Sequence, residues 1–291
     1  MKQSFSLPRS GCSVRLPVMS RLESHPQARD RSAVNILRTF RATDFSVSLS
    51  DYRDGLIQKW HSHHEPILIL LLSGYTREQV QKRDLVAGPL DLGIKPAGIR
   101  HQDHFWPNGV RALRIVLSHR LLTELETCFP IMNNWNWLRG SDAVRPLLKT
   151  VRMLLEKSKD AEIEEGLYDS VAAILPRAND YTTSNPPHWL SQARDYLDAY
   201  YATGVRLQHL ANHAQVHPVY FARMFRRFFG CSVGQHVKTM QLRAAAALLG
   251  DRRNNIARVA YDTQFSDQAH MTRAFAKKYS LTPGQFRDLL R

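Results

Sequence analysis

His217-Pro218-Val219-Tyr220-Phe221-Ala222-Arg223-Met224-Phe225-Arg226-Arg227 and Ser266-Asp267-Gln268-Ala269-His270-Met271-Thr272-Arg273-Ala274-Phe275-Ala276-Lys277-Lys278 are two renderings of one pattern, with Arg223 answering Arg273 and Phe225 answering Phe275. Each follows a short apolar segment and a turn. Leu207, Leu210 and Ala211 precede a turn at His213 to Val216, and Ile256, Val259 and Ala260 precede one around Gln264. The small side chains Ala211 and Ala260 stand where two short helices must cross closely, as in a helix-turn-helix. Phe221, Met224, Phe225 and Phe228 are spaced i, i+3, i+4, i+7, so one side of the second helix is core. Val219, Ala222, Arg223 and Arg226 then lie on its other faces. Pro218 suits a first helical position, where its missing N–H is not needed, and His217 is a weaker N-cap than Ser or Asp. In the second copy, Ser266 or Asp267 supplies that cap.

Together with Gly230-Cys231-Ser232, Arg243, Ala247-Leu248-Leu249 and Thr282-Pro283-Gly284-Gln285-Phe286-Arg287, these stretches resemble the AraC/XylS family of bacterial transcription regulators over roughly Pro187 to Arg291. One departure stands out. The family pattern has Gly-Phe before its second recognition helix, and here Gln264-Phe265 occupies that place, where glycine would favour a left-handed turn. The resemblance implies that Val219, Ala222 and Arg223 in the first helix, and Gln268, Ala269, Thr272 and Arg273 in the second, face base edges. Arg226, Arg227, Lys277 and Lys278 then meet phosphates. A connecting helix over Val233–Leu249 separates the two readers.

Charge divides accordingly. The 291 residues carry a net charge of +14; residues 188–291 hold 15 Lys and Arg against 6 Asp and Glu, and residues 45–187 hold 17 against 17. A basic reading region beside a neutral middle suits a chain whose C-terminal part meets a polyanion. No stretch is apolar enough to span a bilayer or to act as a secretory signal, which leads us to expect a cytoplasmic protein with no membrane partner. Cys12, Cys128 and Cys231 lie far apart without a Cys-x-x-Cys, which argues against a zinc finger or a disulfide framework.

Residues 1–32 read as a disordered tail. Residues 33–118 are β-rich, with strands expected at Phe45 to Leu49, Ile57 to His63, Ile67 to Leu72, Asp91 to Ile94 and Arg111 to Leu117. Turns are expected at Asp54-Gly55, Ser73-Gly74, Pro96-Ala97-Gly98 and Pro107-Asn108-Gly109, suggesting a small barrel. Trp60-His61-Ser62-His63-His64-Glu65-Pro66 and Pro96-Ala97-Gly98-Ile99-Arg100-His101 resemble the two cupin motifs, and sensor regions of AraC-type regulators are commonly cupin-like. On a strand, His61 and His63 share a face, and His101 arrives from a facing strand. His61, His63 and His101, with Glu65, suit a divalent transition metal. The same histidines, with Trp60, His104 and Trp106, suit an organic effector; histidine also serves as a plain buried hydrogen-bonding residue. The regulatory reading requires no cofactor, and a divalent metal in the cupin-like region is the one considered.

Residues 119–175 turn helical, with stripes at Leu121, Leu122, Leu125, Phe129, then Val144, Leu147, Leu148, Val151, Leu154, Leu155, then Ile163, Leu167, Val171, Ile174. The second is our candidate for a homodimer contact, in line with the family. Residues 176–187 are polar and proline-rich, hence a linker to the DNA-binding region at 188–291. The expectation is an α+β chain: a cupin-like β-barrel with flanking helices, then an all-α double helix-turn-helix. It would regulate transcription, commonly as an activator, with double-stranded DNA, RNA polymerase and an unidentified small-molecule effector as partners. A metal-dependent cupin enzyme fused to a DNA-binding module, and a regulator that needs no ligand, are the alternatives.

Overall fold

The computed structural model describes residues 33–126, 134–174 and 186–291. The expected tail, most of the expected linker, Cys12, Cys128 and Phe129 lie outside them. Among the described residues, eight strands form one antiparallel sheet: β1 (Val34–Arg41), β2 (Phe45–Tyr52), β3 (Ile57–His61), β4 (Ile67–Val80), β5 (Arg83–Ala87), β6 (Asp91–Lys95), β7 (His101–Leu117) and β8 (Asn136–Arg139). The order is β1-β2-β7-β4-β6-β8, with β3 added on β7 and β5 on β4.

The two long strands carry the architecture. Ile67 to Leu71 of β4 pair with Ala112 to Val116 of β7, Tyr75 to Val80 pair with His101 to Trp106, and the register shifts around Ser73 between the two halves. Gly74 (φ +72°), Asn108 (φ +61°) and Gly109 (φ +80°) take left-handed conformations at that point. A Cβ on Gly74 would lie 2.1 Å from the carbonyl oxygen of Gly109, so only glycine permits the approach. Ser73-Gly74 and Pro107-Asn108-Gly109 are therefore bulges inside continuous strands and not chain reversals, and β4 and β7 run well past the ends expected from sequence. The strands β1, β5 and β8 were not among those expected either.

Both faces of the Ile67–Leu72 run are buried, which explains its unbroken apolar character. Ile67, Ile69 and Leu71 join Tyr52, Phe105, Val110, Ala112 and Val116 on one face, while Leu68, Leu70 and Leu72 pack with the helices on the other. Those helices are α1 (His119–Glu126), α2 (Val144–Glu156) and α3 (Asp160–Ile174). Of the α2 stripe, Val144, Leu147, Leu148, Val151 and Leu154 are buried within their own chain, in one cluster with the sheet and α3, and Leu155 packs against that cluster half-buried. This corrects the expectation that the stripe forms a dimer contact, since its apolar surface is already used. Amphipathic spacing marks a buried face without saying against what it is buried.

The C-terminal part comprises α4 (His188–Tyr200), α5 (Leu207–His213), α6 (Pro218–Phe229), α7 (Val233–Leu249), α8 (Ile256–Asp262), α9 (Gln268–Tyr279) and α10 (Pro283–Asp288). α7 has the bounds expected. Ser232 starts it with a reciprocal capping box to Gln235, and Thr282 starts α10 in the same way with Gln285. Leu190, Leu197, Leu210, Phe221 and Phe225 form a core of their own around α4–α6. By contrast Val259, Met271, Phe275, Tyr279 and Phe286 belong to the cluster that runs into α2 and the sheet.

Candidate nucleic-acid interface and histidine site

The two helix-turn-helix units are built by the same backbone hydrogen bonds. Val216 N–H donates to Ala211 O at 3.0 Å, and Phe265 N–H donates to Ala260 O at 3.0 Å. The residue before each is left-handed: Gln215 at φ +55° and Gln264 at φ +62°. The glutamine that departs from the family pattern thus adopts the glycine-like conformation without reshaping the turn, at a cost of roughly 1 kcal/mol. The helices that follow are capped as their residues allow. The Nδ1 of His217 accepts from Val219 N–H at 3.3 Å, and the Asp267 carboxylate accepts from His270 N–H at 2.6 Å.

Burying Phe221 and Phe225, or Met271 and Phe275, turns the opposite faces to solvent. On α6, Val219, Arg223, Arg226 and Arg227 are exposed and Ala222 is half-buried; on α9, Gln268, Ala269, Arg273 and Lys277 are exposed and Thr272 is half-buried. Tyr220, not singled out from sequence, shares the open face of α6 at 48% exposure. One assignment is corrected. Lys278 Nζ donates to Gly140 O and to the Asp142 carboxylate, both at 3.0 Å, so it ties α9 to the sheet region instead of standing free for phosphate.

Further ties fix the second unit. Arg243 of α7 pairs with the fully buried Asp91 at 2.5 Å, and Arg145 donates to the carbonyls of Lys277 and Lys278 at 2.9 and 3.3 Å. Arg111 reaches the carbonyls of Leu289 and Arg291 at 3.2 and 2.7 Å while paired with Asp51.

In the sheet, the antiparallel register sets His61 opposite His101. The ligand nitrogens of His61, His63 and His101 lie within 4.8 Å of one another. Glu65 is exposed and stands outside this group. The carboxylate that stands beside it is Asp103, whose Oδ2 is 3.4 Å from His101 Nε2 and 3.9 Å from His61 Nε2. His104 and Trp106 alternate with His101, Asp103 and Phe105 along β7 and therefore occupy its other face, where their rings meet at 5.5 Å. Trp60 is 46% exposed. The six residues considered for an organic effector thus divide, and three come together.

Behind the histidines lies a buried ionic group that the sequence reading missed. Lys95 Nζ contacts Glu78 Oε1 at 2.5 Å and Asp103 Oδ1 at 3.0 Å. The indole N–H groups of Trp135 and Trp137 both donate to Glu78 Oε2, at 2.9 and 2.7 Å, and the Trp135 ring lies 4.4 Å from that of His101. Burial opposes the Asp103 charge, but Lys95 outweighs it and holds the carboxyl below the usual range. Burial raises the carboxyl of Glu78. Burial also lowers His61, and it pushes His63 to about 3 with help from the neighbouring imidazoles.

The donor set fits a divalent transition metal. A carbonyl oxygen only accepts, so the contacts of His61 Nδ1 with Lys59 O (2.8 Å) and His101 Nδ1 with Ile99 O (3.1 Å) place the proton on Nδ1 and leave Nε2 as the donor atom. His101 Nε2 is buried with no hydrogen-bond partner and faces a carboxylate oxygen, an arrangement that a cation between them would satisfy. Ligand atoms of a tetrahedral site with bonds near 2.05 Å stand about 3.3 Å apart, close to the His101–Asp103 separation.

A family model described as a helix-turn-helix domain matches residues 210–288. Probable transcription factor PqrA of Proteus vulgaris is 33% identical over 85 residues, which cover 29% of this chain and 70% of that protein. Regulatory protein PocR of Salmonella typhimurium is 29% identical over 113 residues, 38% of this chain, and the match takes in 37% of PocR's length. The sheet region has a distant likeness to a cupin superfamily protein from Desulfitobacterium hafniense, 22% identical, covering 34% of this chain and 98% of that one at a TM-score of 0.27. With its two units in register and PqrA matched over most of its length, the chain belongs to the AraC/XylS family of transcription regulators.

Proposed function

We propose that the chain is a sequence-specific regulator in which one protomer reads two elements of double-stranded DNA. The observation that carries this is the duplication itself: two identical turns, each followed by a capped helix that exposes an arginine at the same place. Arg223, with Val219 and Ala222, and Arg273, with Gln268, Ala269 and Thr272, face base edges; Arg226, Arg227 and Lys277 meet phosphates. The 17 residues of α7 span about 25 Å, and the two readers enter successive major grooves roughly 34 Å apart. Since the repeat lies within one chain, no palindrome is required. The regulator acts on RNA polymerase as an activator, in the cytoplasm and as a homodimer. We assign the histidine site to sensing, with His61, His63 and His101 holding a divalent transition metal and Asp103 as the nearest carboxylate. Bound there, the cation supplies a charge that the surrounding residues must accommodate.

Selection of binding sites from random duplexes with the full chain, followed by footprinting, tests the reading. Two short protected elements about one helical turn apart are expected. A single protected element, unchanged by Arg273→Ala, would overturn it. Competition with a chromophoric chelator tests the metal assignment, since His61→Ala with His63→Ala should abolish binding.

A further inference from the structure

Residues 135–145 leave the histidine site at one end and reach both helix-turn-helix units at the other. Trp135 is buried against His101 and shares the Glu78 oxygen with Trp137. Trp137 lies in β8, which pairs with β6, and a Cβ on Gly93 of β6 would come within 2.9 Å of its ring. Two residues on, Arg139 pairs with Asp198 of α4 at 3.0 Å, and Asp198 also holds His236 of α7 at 2.6 Å. Next, Gly140 turns the chain at φ +71°, so close to α7 that a Cβ would lie 2.6 Å from Thr239. Its carbonyl and the Asp142 carboxylate receive Lys278 of α9, and Arg145 holds the last carbonyls of that helix.

We infer that this strap couples occupancy of the histidine site to the placement of the two DNA-reading units, with Glu78 and its two indoles as the input and Arg139–Asp198 as the main output. The inference rests on the reading of His61, His63 and His101 as a metal site. The physical reason is the shared use of each group. Asp103 serves Lys95 and faces two of the histidines. A cation bound among the imidazoles draws on the Asp103 carboxylate and leaves Lys95 more fully to Glu78. Glu78 is the common acceptor of both indoles, so a change in its position is a change in Trp135 and Trp137 and hence in β8. Such a buried network has few arrangements that satisfy every member, which favours a switch between discrete states over a graded drift. The first unit has a hydrophobic core separate from the sheet, and Arg139 is the strap's hold on it.

The experiment uses the full chain and a selected duplex. Zn²⁺ affinity is measured by chelator competition, and DNA affinity by fluorescence anisotropy with and without saturating Zn²⁺. For the wild type, Zn²⁺ should change DNA affinity by about fivefold or more, and DNA should change Zn²⁺ affinity by the same factor, since coupling is reciprocal. In Arg139→Gln the Zn²⁺ affinity should stay within about twofold of wild type while the coupling falls below about twofold. Trp137→Phe keeps a ring in place but removes one donor to Glu78, and should also weaken the coupling. Unchanged coupling in both variants, or Zn²⁺ that binds the wild type without altering DNA affinity, overturns the strap and leaves the metal site standing. Absence of Zn²⁺ binding overturns the metal site and the strap with it.

Discussion

The two helix-turn-helix units share a turn, a capped helix and an exposed arginine, yet they are embedded differently. The first packs Leu190, Leu197, Phe221 and Phe225 into a core of its own, joined to the rest through α7 and the contacts of Asp198. The second merges Val259, Phe275 and Phe286 with the core beneath the sheet, and is pinned by Arg243–Asp91, Arg145 and Arg111. One reader is thus anchored to the sheet region and the other has a separate core. A sensor that shifts the first against the second can change which DNA spacing is read without altering either reading surface.

The largest test of this contrast is in the cores. Phe225→Ala and Phe275→Ala each remove a fully buried ring and should cost about 3–5 kcal/mol. Their reach should differ. Hydrogen exchange is expected to show Phe225→Ala opening α4–α6 with the sheet still protected, whereas Phe275→Ala lowers protection in α2 and the sheet as well. Equal loss in both regions from both variants would break the comparison.

Next comes pH. Burial works against a charge on His236, but its hydrogen bond and ion pair with Asp198 prevail and raise it to about 9. A histidine whose folded value lies above its unfolded 6.5 contributes stability that is fully present below about pH 6.5 and is lost as pH rises through 9. The contribution is up to about 3 kcal/mol. The α4–α7 contact should therefore loosen between pH 7 and 10, and His236→Gln should remove that dependence from the exchange of α4 amides while the second unit keeps its protection.

For the reading surfaces themselves, Arg223→Ala and Arg273→Ala should each relax preference at a different base pair, at about 1–3 kcal/mol. Because the anchored unit presents Arg273, its loss should shift one element of the footprint regardless of Zn²⁺. The smallest effect expected is at the turns. Gln215→Gly and Gln264→Gly relieve a left-handed glutamine, and each should stabilise by about 0.5 kcal/mol or less once the greater entropy of unfolded glycine is discounted. Thermal melting measures both.

Much of the reading region was legible in sequence because its contacts are local. Helical spacing, Pro218, Ser232, Asp267 and Thr282 mark their helices within a few residues of chain. The pairing of His61 with His101 followed from strand and motif spacing, whereas β3 stops at His61, short of the expected end at His63, and His63 joins them from the segment beyond the strand. The same periodicity, applied along β7, separates His101 and Asp103 from His104 and Trp106, and would have found Asp103. Lys95, Glu78 and Trp135 were out of reach, because they meet only through the pairing of β4 with β6 and β7 and the return of the chain after α1. Glycine signals in β4 and β7 were ambiguous for a physical reason: a left-handed residue can reverse a chain or bulge a strand, and only the strand that continues beyond it tells which.

The connecting helix α7 also makes the protein a comparison between two screws. An α-helix turns 360° in 3.6 residues and the duplex turns once in about 10.5 base pairs, so on the proposed reading the two readers must match their targets in angle as well as distance. One residue added to α7 between the units would rotate one reader by about 100° for only 1.5 Å of travel, whereas four residues restore the angle to within about 40° and add about 6 Å. DNA binding should therefore fall and partly recover as the insertion lengthens, with the recovered protein preferring elements spaced further apart. The register of seventeen residues of helix would then be written in the spacing of the promoters the protein can read.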